Sequence, residues 1–177
     1  MTLSAPSAMP QLALIDVYDQ TISLPTGRKL MLSLFREATC PFCNYRVYEL
    51  THNYREMNAQ GMDIVAIFSS NREDVMKFIA RQPRPFRMVA DPEGTIHQAY
   101  GTQTSMWGKM VAMLRRMGAF FYGMRQVGMQ GMRTGNIVPA DFLIDENGRI
   151  VDIYYGRDAG DHIPMARVQA FLRGELV

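Results

Sequence analysis

The chain's only two cysteines stand close together in Cys40-Pro41-Phe42-Cys43. A thiol becomes a nucleophile when it ionises, and the first turn of a helix offers unpaired N–H groups and positive dipole charge that favour the anion. Pro41 suits the first helical position, where a missing donor costs nothing. Cys40 is then placed to attack a sulfur, and Cys43, one turn on, to resolve the mixed disulfide at Cys40. Arg36 is near enough in sequence to add a cationic field. Glu37, three residues before Cys40, is a candidate proton shuttle, although a solvated loop carboxylate is the plainer reading, and Thr39 is a further auxiliary candidate.

Two blander readings compete. Half of a zinc site would need two more ligands at metal spacing, but no second C-x-x-C or H-x-x-x-H exists and His52, His97 and His162 are scattered. No metal is therefore expected, and no cofactor beyond the redox-active cysteine pair and an external thiol reductant. Two inert core thiols would not need a strand–turn–helix setting.

That setting comes from the flanking segments. Lys29–Phe35 (KLMLSLF) is a short apolar run that suits a buried strand, and from Cys43 to Met57 the residues Val47, Leu50, Tyr54 and Met57 recur at helical spacing. The β-branched run Asp63–Phe68 completes a βαβ unit, which leaves the cysteines at the carboxyl end of a strand, where open α/β sheets place their chemistry. Leu12–Tyr18 and Gln20–Leu24 read as short strands broken by Pro25-Thr26-Gly27. Asn71 can cap a helix over 72–81 that stops before Pro83 and Pro85, followed by a strand Phe86–Ala90, an Asp91-Pro92-Glu93-Gly94 turn and a short helix Thr95–Tyr100. Ala140–Ile144 and Ile150–Tyr155 form a hairpin about Asn147-Gly148. Ile163–Leu176 is a terminal helix with Asp161 as cap and Pro164 in its first turn. Residues 1–11, rich in Ser, Ala and Pro, are expected to be a flexible tail, and 12–177 a single α/β domain: a mixed central sheet with helices on both faces.

The 177 residues, 47% hydrophobic and 20% charged, suffice for one domain with a substantial core. A net charge of +2 selects neither nucleic acid nor an anionic membrane by bulk electrostatics. Residues 1–20 carry no basic, apolar leader and no run is long enough to span a bilayer, so cytoplasm is the expected location; a lone C-x-x-C fits a reducing compartment.

The segment Leu34-Phe35-Arg36-Glu37-Ala38-Thr39-Cys40-Pro41-Phe42-Cys43, with Asp91-Pro92-Glu93-Gly94 and Val138-Pro139-Ala140-Asp141-Phe142-Leu143-Ile144-Asp145-Glu146-Asn147-Gly148, resembles the AhpC/TSA (peroxiredoxin-like) branch of thioredoxin-like proteins. The resemblance spans about residues 12 to 175 apart from an insertion at 102–135. It implies a thioredoxin-like fold, with Pro139 as the cis-proline that faces the cysteines and leaves the carbonyl of Val138 to the substrate. Pro41, Phe42, Val138 and Pro139 would then form the substrate-binding rim; read by itself, Val138-Pro139 is as well explained by a trans strand entry.

Peroxiredoxins work through P-x-x-x-T-x-x-C and a distant arginine. Aligning Cys43 with their peroxidatic cysteine puts Cys40 at the threonine, Arg36 at the proline and Pro139 at the arginine. Peroxide cleavage would lose the donors aimed at its departing oxygen, whereas disulfide exchange needs neither. Thiol–disulfide exchange is thus expected first, on a protein or small-molecule disulfide with a thioredoxin- or glutathione-type electron donor. A thiol-dependent peroxidase with peroxidatic Cys43 comes second, with Arg133 or Arg157 as a substitute cation. A non-catalytic interaction protein whose cysteines sense redox state is the third reading.

Ser105–Arg133 holds Lys109, Arg115, Arg116, Arg125 and Arg133 and no acidic residue. Met106, Met110, Met113, Leu114, Met117, Phe120, Phe121 and Met124 form a stripe at helical spacing, interrupted by glycines. A core-facing or dimer-forming helix is the plain expectation, with Trp107 as a packing residue. A hydrophobic partner or an anionic membrane surface are the functional alternatives, and no recognition motif supports nucleic acid. His162 reads as a solvated loop histidine, and Asp141 as either a buried, tuned charge or an edge charge.

Overall fold

The computed structural model describes residues 3–104, 106–129 and 135–176, with the side chains of 106–109 left aside. Its centre is β4 (Lys29–Phe35), which six buried residues of seven place between two covered faces. On one side β4 pairs in parallel with β5 (Met62–Phe68), which pairs in parallel with β6 (Arg87–Ala90). On the other it pairs antiparallel with β7 (Ala140–Ile144), which forms a hairpin with β8 (Arg149–Tyr155). The Asp145 carboxylate accepts from the N–H groups of Asn147 and Arg149, fixing this turn, and Gly148 takes the left-handed φ of 77°.

Alternation along the strands splits the core. Met31, Phe35, Ile64, Ala66, Phe68 and Leu143 face the helices α1 (Pro41–Ala59) and α6 (Met165–Leu172). Leu30, Leu32, Leu34, Val65 and Ile67 face the opposite way, against α3 (Thr95–Ala99) and a separate hairpin of β2 (Leu12–Ile15) and β3 (Thr21–Leu24). This is the expected mixed sheet with helices on both faces.

Several boundaries differ from expectation. β2 ends at Ile15 because the Asp16 side chain accepts from the N–H groups of Tyr18 and Gln20, closing a turn in which Asp19 has φ 61°. Asn71 caps α2 (Arg72–Asp74) through Asp74 N–H, but the helix then widens into a π-helical turn, Val75–Ile79, that buries Val75, Phe78 and Ile79. α6 starts at Met165 without a side-chain cap; Asp161 instead accepts from Arg116, Tyr154 Oη and Arg157 N–H. In the stretch expected as a loose tail, Ser7–Ala8 form β1 on β8, and Met9 is buried.

The insertion forms α4 (Met106–Arg115) and α5 (Met117–Val127), with a break at Arg116, whose φ of −124° leaves the helix. The stripe does not pack as one face. Ala112, Phe120, Gly123 and Val127 turn inward, while Met110, Met113, Leu114, Met117 and Phe121 remain exposed, so a core-facing helix describes only the inner sides of α4 and α5. Gly123 is required where α5 crosses the start of α1, since a Cβ there would lie 2.0 Å from the Pro41 carbonyl oxygen.

Candidate active site

β4 ends at Phe35, and Arg36 to Thr39 carry the chain to Cys40, the N-cap of α1, with Pro41 in the first helical position. Cys40 N–H donates to Glu37 O at 2.9 Å and Ala38 N–H to Ser70 Oγ at 2.9 Å. The Asn44 amide then spans the turn, donating to Ala38 O at 2.8 Å and Cys40 O at 3.0 Å. These bonds fix the loop that presents the first sulfur. Ser70 and Asn44 carried no sequence signal of that role: Ser70 meets Ala38 only once the sheet has formed, and the two carbonyls that Asn44 spans are brought together by the conformation of the loop and not by a motif.

Both cysteines are reduced and fully buried. Burial alone would push the Cys40 thiol up. It is outweighed by the Cys43 thiol donating to its sulfur, by the charge of Arg36 and by the Cys43 N–H, and the pKa falls from 9.0 to about 6. Cys43 goes the other way: burial, its donation to Cys40 and the neighbouring negative charge hold its thiol well above the usual range. The two sulfurs are thus differentiated into an anion and a proton holder.

Arg36 is the cation of the site. Its Nη1 lies 3.3 Å from Cys40 Sγ, and although burial opposes its charge, the two sulfurs and Glu37 reinforce it. Its Nη2 donates to the carbonyl of Gly135, whose N–H donates to Glu37 Oε1 at 2.7 Å. A Cβ on Gly135 would fall 2.5 Å from that oxygen, so a larger residue there would displace the Glu37 carboxylate. Glu37 therefore holds Gly135 rather than standing as a solvated loop carboxylate. Thr39 is half-buried. Arg157 N–H is held by Asp161, and Arg133 lies outside the described residues.

Phe42 is buried between the Phe120 ring, 5.8 Å away by centroid, and Gly160. Tyr122 reaches Tyr45 and Tyr48 at 5.7 and 5.0 Å, so α5 covers the start of α1 through a run of rings. Register pairs Leu34 with Ala140, which brings Pro139 to the cysteine end of the sheet. The Val138–Pro139 bond, expected to be cis, is trans: cis bonds among the described residues occur at Ala5–Pro6 and Leu24–Pro25. The trans form is the commoner state of an X-Pro bond, and Val138 N–H and Pro139 O are bonded to Gln103 O and Gly156 N–H as an ordinary strand entry.

Two buried carboxylate–histidine pairs brace this end of β4. Asp91 Oδ2 lies 2.6 Å from His97 Nδ1, and His97 Nε2 lies 2.8 Å from Phe35 O. Asp141, opposite Ser33 in register, accepts from Ser33 Oγ, from Ile163 N–H at 2.8 Å and faces His162 Nδ1 at 3.1 Å. Burial would raise the Asp141 carboxyl; His162, Arg46 and Ser33 together hold it below its ordinary value. His162 is thus buried against the Phe35 ring at 4.8 Å, not solvated, and its Nε2 has no hydrogen-bond partner among the described residues. A cavity of about 360 Å³ opens beside it, lined in part by Phe42, Arg46, Arg116 and His162. The sequence offered Asp141 and His162 singly but not their pairing, which needs the fold to bring residues 141 and 162 together.

Among the described residues no group of three His, Cys, Asp or Glu side chains is placed to hold a metal ion. The arrangement can hold one thiolate beside a guanidinium, with a protonated thiol one turn away.

The AhpC/TSA family model matches residues 6–153. A Mycobacterium tuberculosis protein named as peroxiredoxin Rv2521 is 23% identical over 160 residues, covering 89% of this chain and 88% of its own. Among solved structures, peroxidoxin BcpB from Mycobacterium tuberculosis superposes with a TM-score of 0.69 at 15% identity, over 96% of both chains. A Chlorobium tepidum protein named as a thiol:disulfide interchange protein, DsbE, superposes with a TM-score of 0.65 at 23% identity, over 97% of this chain and 99% of that one. At these identities the superpositions show a shared thioredoxin-like fold.

Proposed function

Since the chain belongs to the AhpC/TSA family and is a thiol-based oxidoreductase, we propose that it works by thiol–disulfide exchange, with Cys40 as the attacking thiolate and Cys43 as the resolving thiol. The observation that carries this reading is the opposite displacement of the two thiols, Cys40 down to about 6 and Cys43 well up, beside a buried guanidinium.

The Cys40 thiolate attacks one sulfur of a substrate disulfide, forming the Cys40–substrate bond as the substrate's S–S bond breaks and its second sulfur leaves as thiolate. Arg36 holds Cys40 as the anion before attack. Cys43 then attacks Cys40 Sγ, its proton passing to the departing substrate sulfur, so that the first substrate sulfur leaves as a thiol and the Cys40–Cys43 disulfide remains. An external dithiol or low-molecular-weight thiol, of the thioredoxin or glutathione type, returns the pair to the reduced state. Pro41, Phe42, Val138 and Pro139 rim the approach, and the trans Val138–Pro139 bond leaves recognition to side chains and to the cavity beside Phe42 rather than to a cis-proline edge.

A peroxidase reading is favoured by one specific observation besides the family: the charge of Arg36, on the cysteine loop itself, acts on the Cys43 thiol as well as on Cys40. One pair of variants separates the two. In exchange, Cys43→Ser accumulates a mixed disulfide at Cys40 that mass spectrometry identifies, and Cys40→Ser is inactive toward both substrates. If Cys40→Ser still consumes peroxide through a sulfenate at Cys43, the exchange assignment is wrong and the peroxidase stands.

A further inference from the structure

The outer side of the α4–α5 segment carries apolar surface that nothing among the described residues covers. Leu114 is 76% exposed, Phe121 61%, Met110 60% and Met117 55%, and Met129, just past α5, is 83% exposed. Met110, Met113 and Leu114 recur at three- and four-residue steps on α4, and Met117 and Phe121 at a four-residue step on α5, so each helix carries its exposed apolar side chains on one side. A single exposed leucine is ordinary; large apolar side chains grouped on two successive helices mark a contact surface. Beside it Gly118, Phe121, Tyr122, Met124 and Arg125 line an open, mostly apolar hollow of about 590 Å³.

Charge decides what covers this face. Between Glu93 and Asp141 there is no acidic residue, while Lys109, Arg115, Arg116, Arg125 and Arg133 fall in that interval. Arg115 and Arg125 are exposed; Arg116 is engaged by Asp158 and Asp161. The chain as a whole is only +2, so the rest of it carries more acidic than basic residues and the positive charge is concentrated here. A second copy docked through the same face would bring like charge against like charge, whereas an anionic surface with an apolar interior satisfies both halves.

We propose that the outer face of α4–α5 docks on an anionic lipid bilayer, with Met110, Leu114, Met117 and Phe121 entering the boundary between headgroups and acyl chains and Arg115 and Arg125 on the headgroups. The helices lie in the interface and do not cross it: no described helix is long and apolar enough to span a membrane. The inner side of α5 packs on Pro41 and Phe42, so docking sets the cysteine end of the fold against the lipid surface.

The test uses the full reduced chain and flotation with vesicles of phosphatidylcholine alone or mixed with phosphatidylglycerol. Trp107, the sole tryptophan, lies in α4 and reports binding by its emission. The expected result is flotation and a blue shift only with the anionic vesicles, with the bound fraction cut at least about tenfold in Leu114→Glu/Phe121→Glu and reduced in Arg115→Gln/Arg125→Gln. Exchange in solution and the circular dichroism of all variants should stay at wild-type level. That separates failure of docking from failure of the thiol chemistry. A wild-type chain that stays with the unbound fraction, equal flotation of variants and wild type, or a concentration-dependent dimer that Phe121→Glu abolishes would each overturn the proposal.

Discussion

The cysteine loop and the α4–α5 segment touch each other, yet they are built on opposite terms. In the loop the groups that set the turn and the cation are tied to named partners in the fold: Ala38 N–H on Ser70, Asn44 on two carbonyls, Phe35 O on His97, and Arg36 between Cys40 and Gly135. In α4–α5 the inner side is fixed by Ala112, Phe120, Gly123 and Val127 while the outer side leaves its largest apolar groups in water. Precision is concentrated where a thiol must be ionised, and unfilled contact capacity sits one helix away. Substitutions in the loop should therefore change chemistry or fold, and substitutions on the outer face of α4–α5 should change neither.

The largest effect is expected from Cys40→Ser, which should lower disulfide exchange by about a thousandfold or more, because the attacking atom is gone and no neighbouring group replaces it. Turnover of a small-molecule disulfide measures it. Retention of more than a few per cent of the rate would break the contrast at its chemical end.

Next in size is Asp141→Ala. It leaves His162, Ser33 Oγ and Ile163 N–H without their common acceptor inside the core, and removing one member of such a buried cluster costs about 3–5 kcal/mol. Urea titration should show the midpoint fall. Because the Asp141 carboxyl is held below its ordinary 3.8, its contribution is complete above that pH and is lost as pH falls through the lower folded value. Wild type should thus lose stability in acid more steeply than Asp141→Ala.

How much of this was legible beforehand follows the same division. The βαβ unit, the C-x-x-C at its strand end and the 140–155 hairpin were readable, because apolar period, proline position and an Asn-Gly turn are local signals. The Asp141–His162 and Asp91–His97 pairs were not, since each joins residues whose proximity exists only after the sheet forms. The π-helical turn at Val75–Ile79 escaped because spacing alone does not distinguish it from one more α-helical turn. The Met-rich stripe was seen as one face, yet the break at Arg116 and the close crossing at Gly123 split it into an inner and an outer side. The cis bond expected at Val138–Pro139 came from the family resemblance and not from the residues, and the trans bond overturns it, as hydrogen bonding and burial overturn the solvated readings of Glu37 and His162.

Gly123→Ala tests where the two regions meet. A methyl group 2.0 Å from the Pro41 carbonyl oxygen forces α5 away from α1, at a cost of about 1–3 kcal/mol. Alkylation of Cys40 should accelerate as the cover loosens. A variant as stable and as slowly alkylated as wild type would show that α5 does not shield the thiols.

Arg36→Met should move the Cys40 titration upward by about one to two units, since an adjacent opposite charge is removed. In wild type the rate of iodoacetamide reaction should reach half its plateau near pH 6, where the Cys40 thiol titrates. Cys40 is depressed on folding, so its contribution to stability is full above the unfolded value of 9.0 and disappears as pH falls toward about 6. Cys43, which is raised, has the reverse sign, weakening the fold as pH climbs through its elevated range.

The smallest effect belongs to the outer face of α4–α5. Leu114 is 76% exposed, whereas Ala112, two residues earlier on the same helix, is fully buried. Leu114→Ala removes apolar surface that folding does not bury, so stability measured by urea denaturation should stay within about 0.5 kcal/mol of wild type. A loss of more than about 2 kcal/mol, the range of a packed leucine, would mean that this face is already covered in solution. The α4–α5 segment would then be as closed as the cysteine loop, and the division of labour between the two regions would not exist.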